Sequence, residues 1–305
     1  MSIPFSQPDV SIIIVSWNTR DLLMSCLASL HAAVGNLNAE IWVVDNCSAD
    51  GTVDAVLAGY PQVNLIRNPT NMGFAAANNQ AIRAGHGRYV LLLNSDTVAC
   101  PHSIDRVVYF ADQYPAAGII GPMLLNPDGS YQGSFANFPS LASEWLSVTG
   151  LGPRLFYRDY PAYGPRYGGS ARPVGYVSGA CMLVRRTAIE QVGEMDENYF
   201  MYSEEVDWCW RMRQLGWQRW YVPEAKVVHY GGQSTRQIRH TMVRRLYSSK
   251  VRFFRTHYGW FSASLLQGVF VVTLRIKWML QRLIVLVQPR SAVGPLIRWR
   301  DLNSV

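Results

Sequence analysis

The sequence predicts an α/β fold: a mainly parallel sheet flanked by helices, followed by a basic and apolar helical segment. Three observations carry this expectation. Short apolar runs rich in β-branched residues recur along the first 124 residues, as in strands buried on both faces. Helical stretches alternate with them, which favours parallel strands with crossover helices. After residue 235 the composition changes, with thirteen Lys/Arg against one acid, Asp301.

Each element follows from its residues. SIIIV (11–15) reads as the first buried strand, and a helix runs from about Asp21 to Ala33. IWVVD (41–45) is a second strand ending on an acid, and Asp50-Gly51-Thr52 opens a short helix. VNLIR (63–67) is a third strand, and the Ala-rich stretch from Phe74 to Ala84 is helical. YVLLLN (89–94) is a fourth strand. A helix follows from Pro101 to Tyr114, with Pro at a tolerated first-turn position. GIIGPML (118–124) is the fifth strand, and NPDG (126–129) turns the chain. Residues 151–173, rich in Gly, Pro, Tyr and Arg, read as a long loop and a candidate lid. YVSGACMLV (176–184) is a strand with a small-residue step at Ser178-Gly179-Ala180. A helix spans about Glu204 to Leu215 and stops at Gly216. Strands near 218–222 and 226–229 lead into HYGGQS.

The composition, 49% hydrophobic and 16% charged over 305 residues, fits a globular chain and excludes a disordered one. Five scattered cysteines without CxxC spacing argue against a disulfide framework or zinc site and for a reducing compartment. The start, MSIPFSQPDV, lacks the charged and apolar regions of a secretory signal, so none is expected. Fifteen basic and twenty acidic residues precede the basic tail, so the tail is the segment expected to meet an anionic surface. GWFSASLLQGVFVVTL (259–274) is uncharged, and RIKWMLQRLIVLV (275–287) mixes Lys, Arg and Trp with aliphatic residues. That mixture fits a helix lying in a bilayer interface, while a hairpin packed on the domain is the plainer reading. Its long aliphatic runs do not suit a base-stacking surface, and no nucleic-acid partner is expected.

In parallel sheets ligands bind beyond the carboxyl ends of the strands, which selects Ser16, Asp45, Asn68 and the triplet Asn94-Ser95-Asp96. An acid two residues from an amide at a strand end suits a hard cation such as Mg²⁺ or Mn²⁺; the plainer role for Asp96 is to cap a turn. His229 lies at a strand end before Gly231-Gly232, where it is either structural or a ligand. Glu204, Glu205 and Asp207 open a helix among aromatic residues, with Ser203 as the expected N-cap. The helix dipole accounts for one acid there but does not require three. One of them would serve as a general base, its pKa raised by desolvation and by a sister carboxylate. Asp207 and Arg211, four residues apart, are placed to pair.

Taken in order, SIIIVSWN, VVDNCSADGT, NPTNMGFAAANNQAI, YVLLLNSDT, SGACMLVRR, MYSEEVDWCWRMRQLGW and VVHYGGQS resemble family 2 glycosyltransferases of the GT-A fold, especially bacterial rhamnosyltransferase-like members. The resemblance covers roughly residues 9 to 235. It implies a GT-A domain over 1–235, with a nucleotide-binding half at about 9–124, an acceptor half at about 125–235, and a membrane-associating segment at 236–305. It also implies an inverting, metal-dependent transfer from a nucleotide-diphosphate sugar to a glycan or lipid-linked acceptor in cell-surface polysaccharide synthesis. The expected location is cytoplasmic, at the inner face of the membrane. L-Rhamnose from dTDP-L-rhamnose is the donor the resemblance favours, with a UDP-hexose or galactofuranose donor as the alternative. By the same match Asp96 is a metal ligand and His229 completes the metal shell. Asn94 stands where the family often has Asp, and with Ser95 it joins the donor side. Asp45 contacts the base or ribose, and Val15 and Ser16 line the base site. Arg67, Asn71, Gly73, Phe74 and Asn78 fall in the nucleotide-side segment. Glu205 is the catalytic base, with Glu204 as the alternative; the pair is Glu-Glu here where Glu-Asp is common. Two other readings compete. A nucleotidyltransferase is disfavoured because the loop after the first strand, SWNTRD, has no Gly. A non-catalytic, membrane-bound scaffold with a degenerate GT-A fold would draw on Asn94 and Glu205.

Overall fold

A computed structural model describes residues 7–156, 160–163, 169–233 and 238–287. The chain forms two compact units. The first comprises Met1–Phe138, Ala162–Phe200 and Glu204–Gln237; the second comprises Pro139–Pro161, Met201–Ser203 and Ile238–Val305.

The first unit is built on a mixed sheet. Strands β1 (Val10–Ser16), β2 (Ala39–Asp45), β3 (Asn64–Arg67) and β4 (Tyr89–Asn94) pair in parallel in the order β3-β2-β1-β4. Helices α1 (Arg20–Val34), α2 (Thr52–Gly59) and α3 (Phe74–Ala84) connect them, as the alternation predicts. Along β1, Val10, Ile12 and Ile14 join a core with Leu23, Leu27 and Leu30 of α1. Ile13, also fully buried, alternates to the other side, which is why the run is apolar at every position. Ala75, Ala77 and Ala81 are fully buried on α3, which packs on β1 and β2; small side chains allow that close approach.

Beyond β4 the sheet departs from a purely parallel one. After β5 (Thr97–Ala99) and helix α4 (Ser103–Gln113) comes β6 (Ala117–Leu125). Pro101 precedes α4, so it does not occupy the helix's first turn. Two short strands follow, β7 (Tyr131–Gln132) and β8 (Phe135–Ala136). In place of one long strand at 176–184 there are two. The pair β10 (Tyr176–Val177) and β8 make a separate small sheet, whereas β11 (Cys181–Arg185) enters the main one, antiparallel between β4 and β6. The break falls at Ser178-Gly179-Ala180, where small side chains let the chain change sheets. The expected strands near 218–222 and 226–229 form one strand, β12 (Gln218–His229), irregular between Val222 and Lys226. It runs parallel to β6 and antiparallel to β5.

The expected lid at 151–173 is partly regular. Leu151–Leu155 is helix α6, and Arg172–Pro173 is strand β9, paired with β12; residues 157–159 and 164–168 of that segment lie outside the described residues. Helix α7 (Arg186–Val192) precedes α8 (Glu204–Gln214). The latter ends as predicted, with Gly216 at φ 83° and the Trp217 N–H on the Met212 carbonyl. Its entry differs from the expected N-cap: Tyr202 and Ser203 stand at φ 72° and 67°, not in the extended backbone of a capping residue.

In the second unit, helix α5 (Leu141–Thr149) opens with a Ser140/Ser143 capping box. Glu144, 3% exposed, pairs with Lys250 at 2.6 Å. Lys250 belongs to α9 (Arg239–Val287), which is broken at Gly259 (φ 85°, ψ 167°).

Candidate active site

The carboxyl ends of β1, β2 and β4 and the end of β12 carry the polar residues the sequence singles out. At the end of β4, Asp96 is 7% exposed. Its Oδ1 lies 3.3 Å from Nε2 of His229, and its Oδ2 accepts a long hydrogen bond from the Gln233 N–H at 3.4 Å. Burial pushes the Asp96 carboxyl up, but the hydrogen bond and charge of His229 outweigh it, and the carboxyl is held below the usual range. Nδ2 of Asn94 is 3.4 Å from the same imidazole nitrogen. Asp96, His229 and Asn94 therefore converge from two strands that are far apart in sequence. Nδ1 of His229 meets Oε1 of Gln132 at 2.7 Å, a partner that no sequence pattern marks.

This donor set fits a hard cation. Two ligands about 2.1 Å from one cation and at right angles lie about 3 Å apart, close to the Asp96–His229 separation. Among the described residues no group of three or more His, Cys, Asp and Glu is gathered for a metal. A cation held by Asp96 and His229 would need further ligands from elsewhere, as at sites shared with substrate phosphates.

On the nucleotide side the structure separates surface from scaffold. Asp45 is 3% exposed; its Oδ2 accepts from the Ser48 N–H at 3.1 Å, and its Oδ1 has no partner. Ser16 is fully buried, and its hydroxyl joins a chain through Thr19 to Ser95, with steps of 3.0 and 2.8 Å. Ser16 and Ser95 thus tie β1 to β4, and their hydroxyls are occupied by protein. Val15 is half-buried at the end of β1, and Arg67 is exposed at the end of β3, in register with Asp45.

Asn46, buried at 2% exposure, organises the next segment and was not singled out from sequence. It donates to Oδ1 of Asn71 and to the Gly73 carbonyl, and accepts from Asn68 and from the Met72 N–H. The strand-end rule that selects Asp45 reaches Asn46 if carried one residue further. Gly73 sits at φ 87°, and a Cβ there would meet the Phe200 carbonyl oxygen at 2.4 Å. The Phe74 N–H donates to that same oxygen. Asn78 corrects an expectation: it is 1% exposed and its amide donates to the Phe74 carbonyl within the helix, so it braces α3 and offers no surface to a ligand.

The three acids of α8 are not equivalent. Asp207 is 2% exposed and accepts from Arg211 Nε at 2.8 Å, while that guanidinium also donates to the Val192 and Glu194 carbonyls. The pairing is the one expected, and it makes Asp207 a clamp between α8 and the end of α7. A proton-transfer role for Asp207 does not fit this burial. Glu204 is 5% exposed, and its Oε2 has no partner. Desolvation, then the charge of Glu205, push its carboxyl well above the usual range. The expected upward shift therefore falls on Glu204. Glu205 is the half-exposed one. Its side chain packs 3.6 Å from where a Cβ of Gly179 would stand, and the neighbouring Ala180 carbonyl accepts from the Asn94 N–H at 3.0 Å. The 178–180 step thus joins the Glu205 side of the site to the end of β4. Most of the nearby aromatics are structural: Trp208 is fully buried with its indole N–H on the Gly193 carbonyl, and Trp217 bonds Gln191. Trp210, edge-on to Phe138 at 4.8 Å, is half-exposed.

A mixed sheet of this order, with an acid and a histidine meeting beyond its strand ends, defines a GT-A glycosyltransferase fold. Two solved structures share it: GalNAc-T7 with UDP, GalNAc and Mn²⁺ (TM-score 0.58, 82% of this chain and 48% of that one) and the mannosyltransferase PcManGT from Pyrobaculum calidifontis with GDP-Man and Mn²⁺ (TM-score 0.56, 96% and 78%). At 15% identity each likeness is one of fold. Residues 11–193 match Glycosyl transferase family 2, and the chain belongs to that family. It is 36% identical over 270 residues to the N-acetylglucosaminyl-diphospho-decaprenol L-rhamnosyltransferase of Mycobacterium tuberculosis, covering 83% of this chain and 87% of that protein.

Proposed function

We propose that this chain is an inverting, metal-dependent rhamnosyltransferase that acts on a lipid-linked acceptor ending in an N-acetylglucosaminyl diphosphate. The observation that carries the reading is the pairing of Asp96 with His229 at 3.3 Å, beyond the sheet of a family 2 chain. The likeness to the mycobacterial rhamnosyltransferase across most of both chains supports the sugar and the acceptor. In this reading the nucleotide lies along β1–β3. A donor hydroxyl or base N–H satisfies the unpartnered Oδ1 of Asp45; a buried acceptor left alone costs about 1–3 kcal/mol. Arg67, Val15 and the Asn71–Phe74 segment complete the donor side. Asp96 and His229, with Asn94, hold Mg²⁺ or Mn²⁺. The cation, when bound, offsets the charge that builds on the departing diphosphate. Glu205 accepts the acceptor hydroxyl's proton as the new C1–O bond forms and the bond to the diphosphate breaks, with inversion at C1. Glu204, buried with Oε2 unpartnered and its carboxyl pushed well above the usual range by desolvation, is assigned no part in that transfer. All of these residues fall in the first compact unit, which lies within the proposed catalytic domain of 1–235 except for Gln237 and its neighbour, while 139–161 and 201–203 of that range belong to the second unit.

The C-terminal segment is assigned to the inner membrane face, with the enzyme cytoplasmic and peripheral. The stretch Thr241–Leu280 contains an 18-residue window with the mean hydropathy, 1.3, of a membrane-crossing helix. Cations inside it and the Gly259 break favour a helix lying in the interface.

The test is thermal stabilisation by dTDP-rhamnose, UDP-hexoses and GDP-mannose, each with Mn²⁺ and then with chelator. Turnover on a polyprenyl-diphosphate-linked N-acetylglucosamine follows, with the anomeric configuration of the product read by NMR. Stabilisation by dTDP-rhamnose, lost on chelation, and an inverted product are expected. Stabilisation by another donor, or chelator-resistant turnover, overturns the corresponding part.

A further inference from the structure

The cation site depends on which nitrogen of His229 carries its proton, and the structure fixes that choice through residues outside the site. Gln132, on the two-residue strand β7, meets Nδ1 of His229 through its Oε1 at 2.7 Å. An amide can be placed either way round, so its orientation must come from its other contacts. Nε2 of Gln132 lies 3.0 Å from Oδ1 of Asn126 and 3.2 Å from the His229 carbonyl oxygen. Both partners are acceptors. Asn126 is fixed in turn, because its Nδ2 donates to Ser130 Oγ and to the Tyr131 carbonyl. Reversing Gln132 would set its oxygen against two other oxygens. Oε1 therefore faces the imidazole, and Nδ1 must be the donor. The other ring nitrogen, Nε2, is the one 3.3 Å from Asp96 Oδ1 and 3.4 Å from Asn94 Nδ2.

We propose that Gln132, seated by Asn126, is a positioning residue that holds His229 in its Nδ1–H tautomer and so presents Nε2 as a cation ligand beside Asp96. The inference rests on the metal-dependent reading of the site. In the imidazolium Nε2–H donates to Asp96, the state in which His229 holds that carboxyl low; once that proton leaves, the Nε2 lone pair and the carboxylate face each other, an arrangement that a shared cation makes favourable. A ligating His almost always donates its second nitrogen to a fixed acceptor, and removal of such a partner weakens metal binding by about 10–100-fold. Here the acceptor is a neutral amide from a hairpin next to β6, so the site's tautomer is set by the Asn126–Ser130 turn.

The test uses the full chain with deoxythymidine diphosphate and Mn²⁺. Mn²⁺ affinity is read by electron paramagnetic resonance, and the His229 tautomer by ¹⁵N chemical shifts of the metal-free protein. Gln132→Leu should raise the Mn²⁺ Kd by about 10–100-fold and mix the two tautomers. Its nucleotide affinity in chelator should stay unchanged, which also shows that the variant folds. Gln132→Glu keeps an acceptor opposite Nδ1 and should keep the Nδ1–H tautomer, at a lower Tm because its second oxygen then faces the oxygens of Asn126 and His229. Wild-type Mn²⁺ affinity or an unmixed Nδ1–H tautomer in Gln132→Leu overturns the inference alone. Equal Mn²⁺ binding by wild type and His229→Ala, or none by the wild type, overturns the metal reading and this inference with it.

Discussion

Glu204 and Glu205 are neighbours in sequence and differ in what surrounds them. The fold buries Glu204 without a partner for Oε2 and leaves Glu205 half-exposed beside Gly179. A general base typically contributes about 10²–10⁴-fold to a rate. Glu205→Gln should therefore lower kcat by about that factor and leave donor binding intact; turnover retained at wild-type level removes Glu205 from the mechanism. Glu204→Gln addresses stability instead. The native carboxyl is raised, so the folded chain holds a proton that the unfolded chain releases above about pH 4.3. Stability should then fall as pH rises above that value, because the native state binds more protons. Gln cannot ionise, so Glu204→Gln should raise Tm at pH 8 and lose that advantage toward pH 4. A Tm difference that stays flat across pH rules out a protonated Glu204.

At the scale of elements, legibility followed chain locality. Strands β1–β4 and helices α1 and α3 are apolar or Ala-rich in ways that local sequence states directly, and their bounds agree with it to within a residue or two. The end of α8 was equally plain in Gly216. What local pattern cannot state is which distant strand an element joins. YVSGACMLV reads as one strand because its residues suit a strand throughout, yet it serves two sheets that part at the Ser-Gly-Ala step. The same holds for the site. Asp96 and Glu205 were legible as polar residues at an element's end. Gln132 was not, because a two-residue strand has no periodicity and its value lies in a contact 97 residues away. The resemblance named Gly73 without its reason, which is geometric. Its φ of 87° and ψ of −177° lie in a region essentially reserved for Gly, worth about 1–3 kcal/mol to any other residue. Beyond that, any side chain would strike the Phe200 carbonyl oxygen. Gly73→Ala should cost more than about 1–3 kcal/mol in chemical denaturation and weaken nucleotide binding in step, since Asn46 holds the same loop. A variant as stable as wild type would mean that the Asn71–Phe74 segment rearranges freely and does not template the donor.

For the molecule as a whole, the informative asymmetry is where charge and apolar surface collect. After Gly259, Ala263, Leu266, Phe270 and Leu274 are buried, and their spacing of three and four residues marks one face of α9. Within that unit Phe270 packs against Tyr247. The other side is apolar as well: Phe261 is 62% exposed, Val272 57%, Ile276 51% and Met279 58%, with Leu265 beside them. A helix in water normally turns polar residues outward, so one apolar on opposite faces is covered by something else. The cover must tolerate Arg275 and Arg282, both exposed, in a tail that carries thirteen cations and one acid. An anionic bilayer surface meets both conditions, since acyl chains take the apolar side chains and headgroups take the cations. Sedimentation with vesicles rich in anionic lipid decides the matter. The full chain should co-sediment, less so at high salt, and a Phe261→Ser, Leu265→Ser, Val272→Ser variant should remain in solution. That variant should still transfer sugar to a short-chain acceptor that needs no membrane. Loss of vesicle binding in the variant without loss of transfer assigns the face to lipid recruitment. A wild-type dimer that the same substitutions convert to a monomer, with no vesicle binding by either form, would make the face a subunit interface instead.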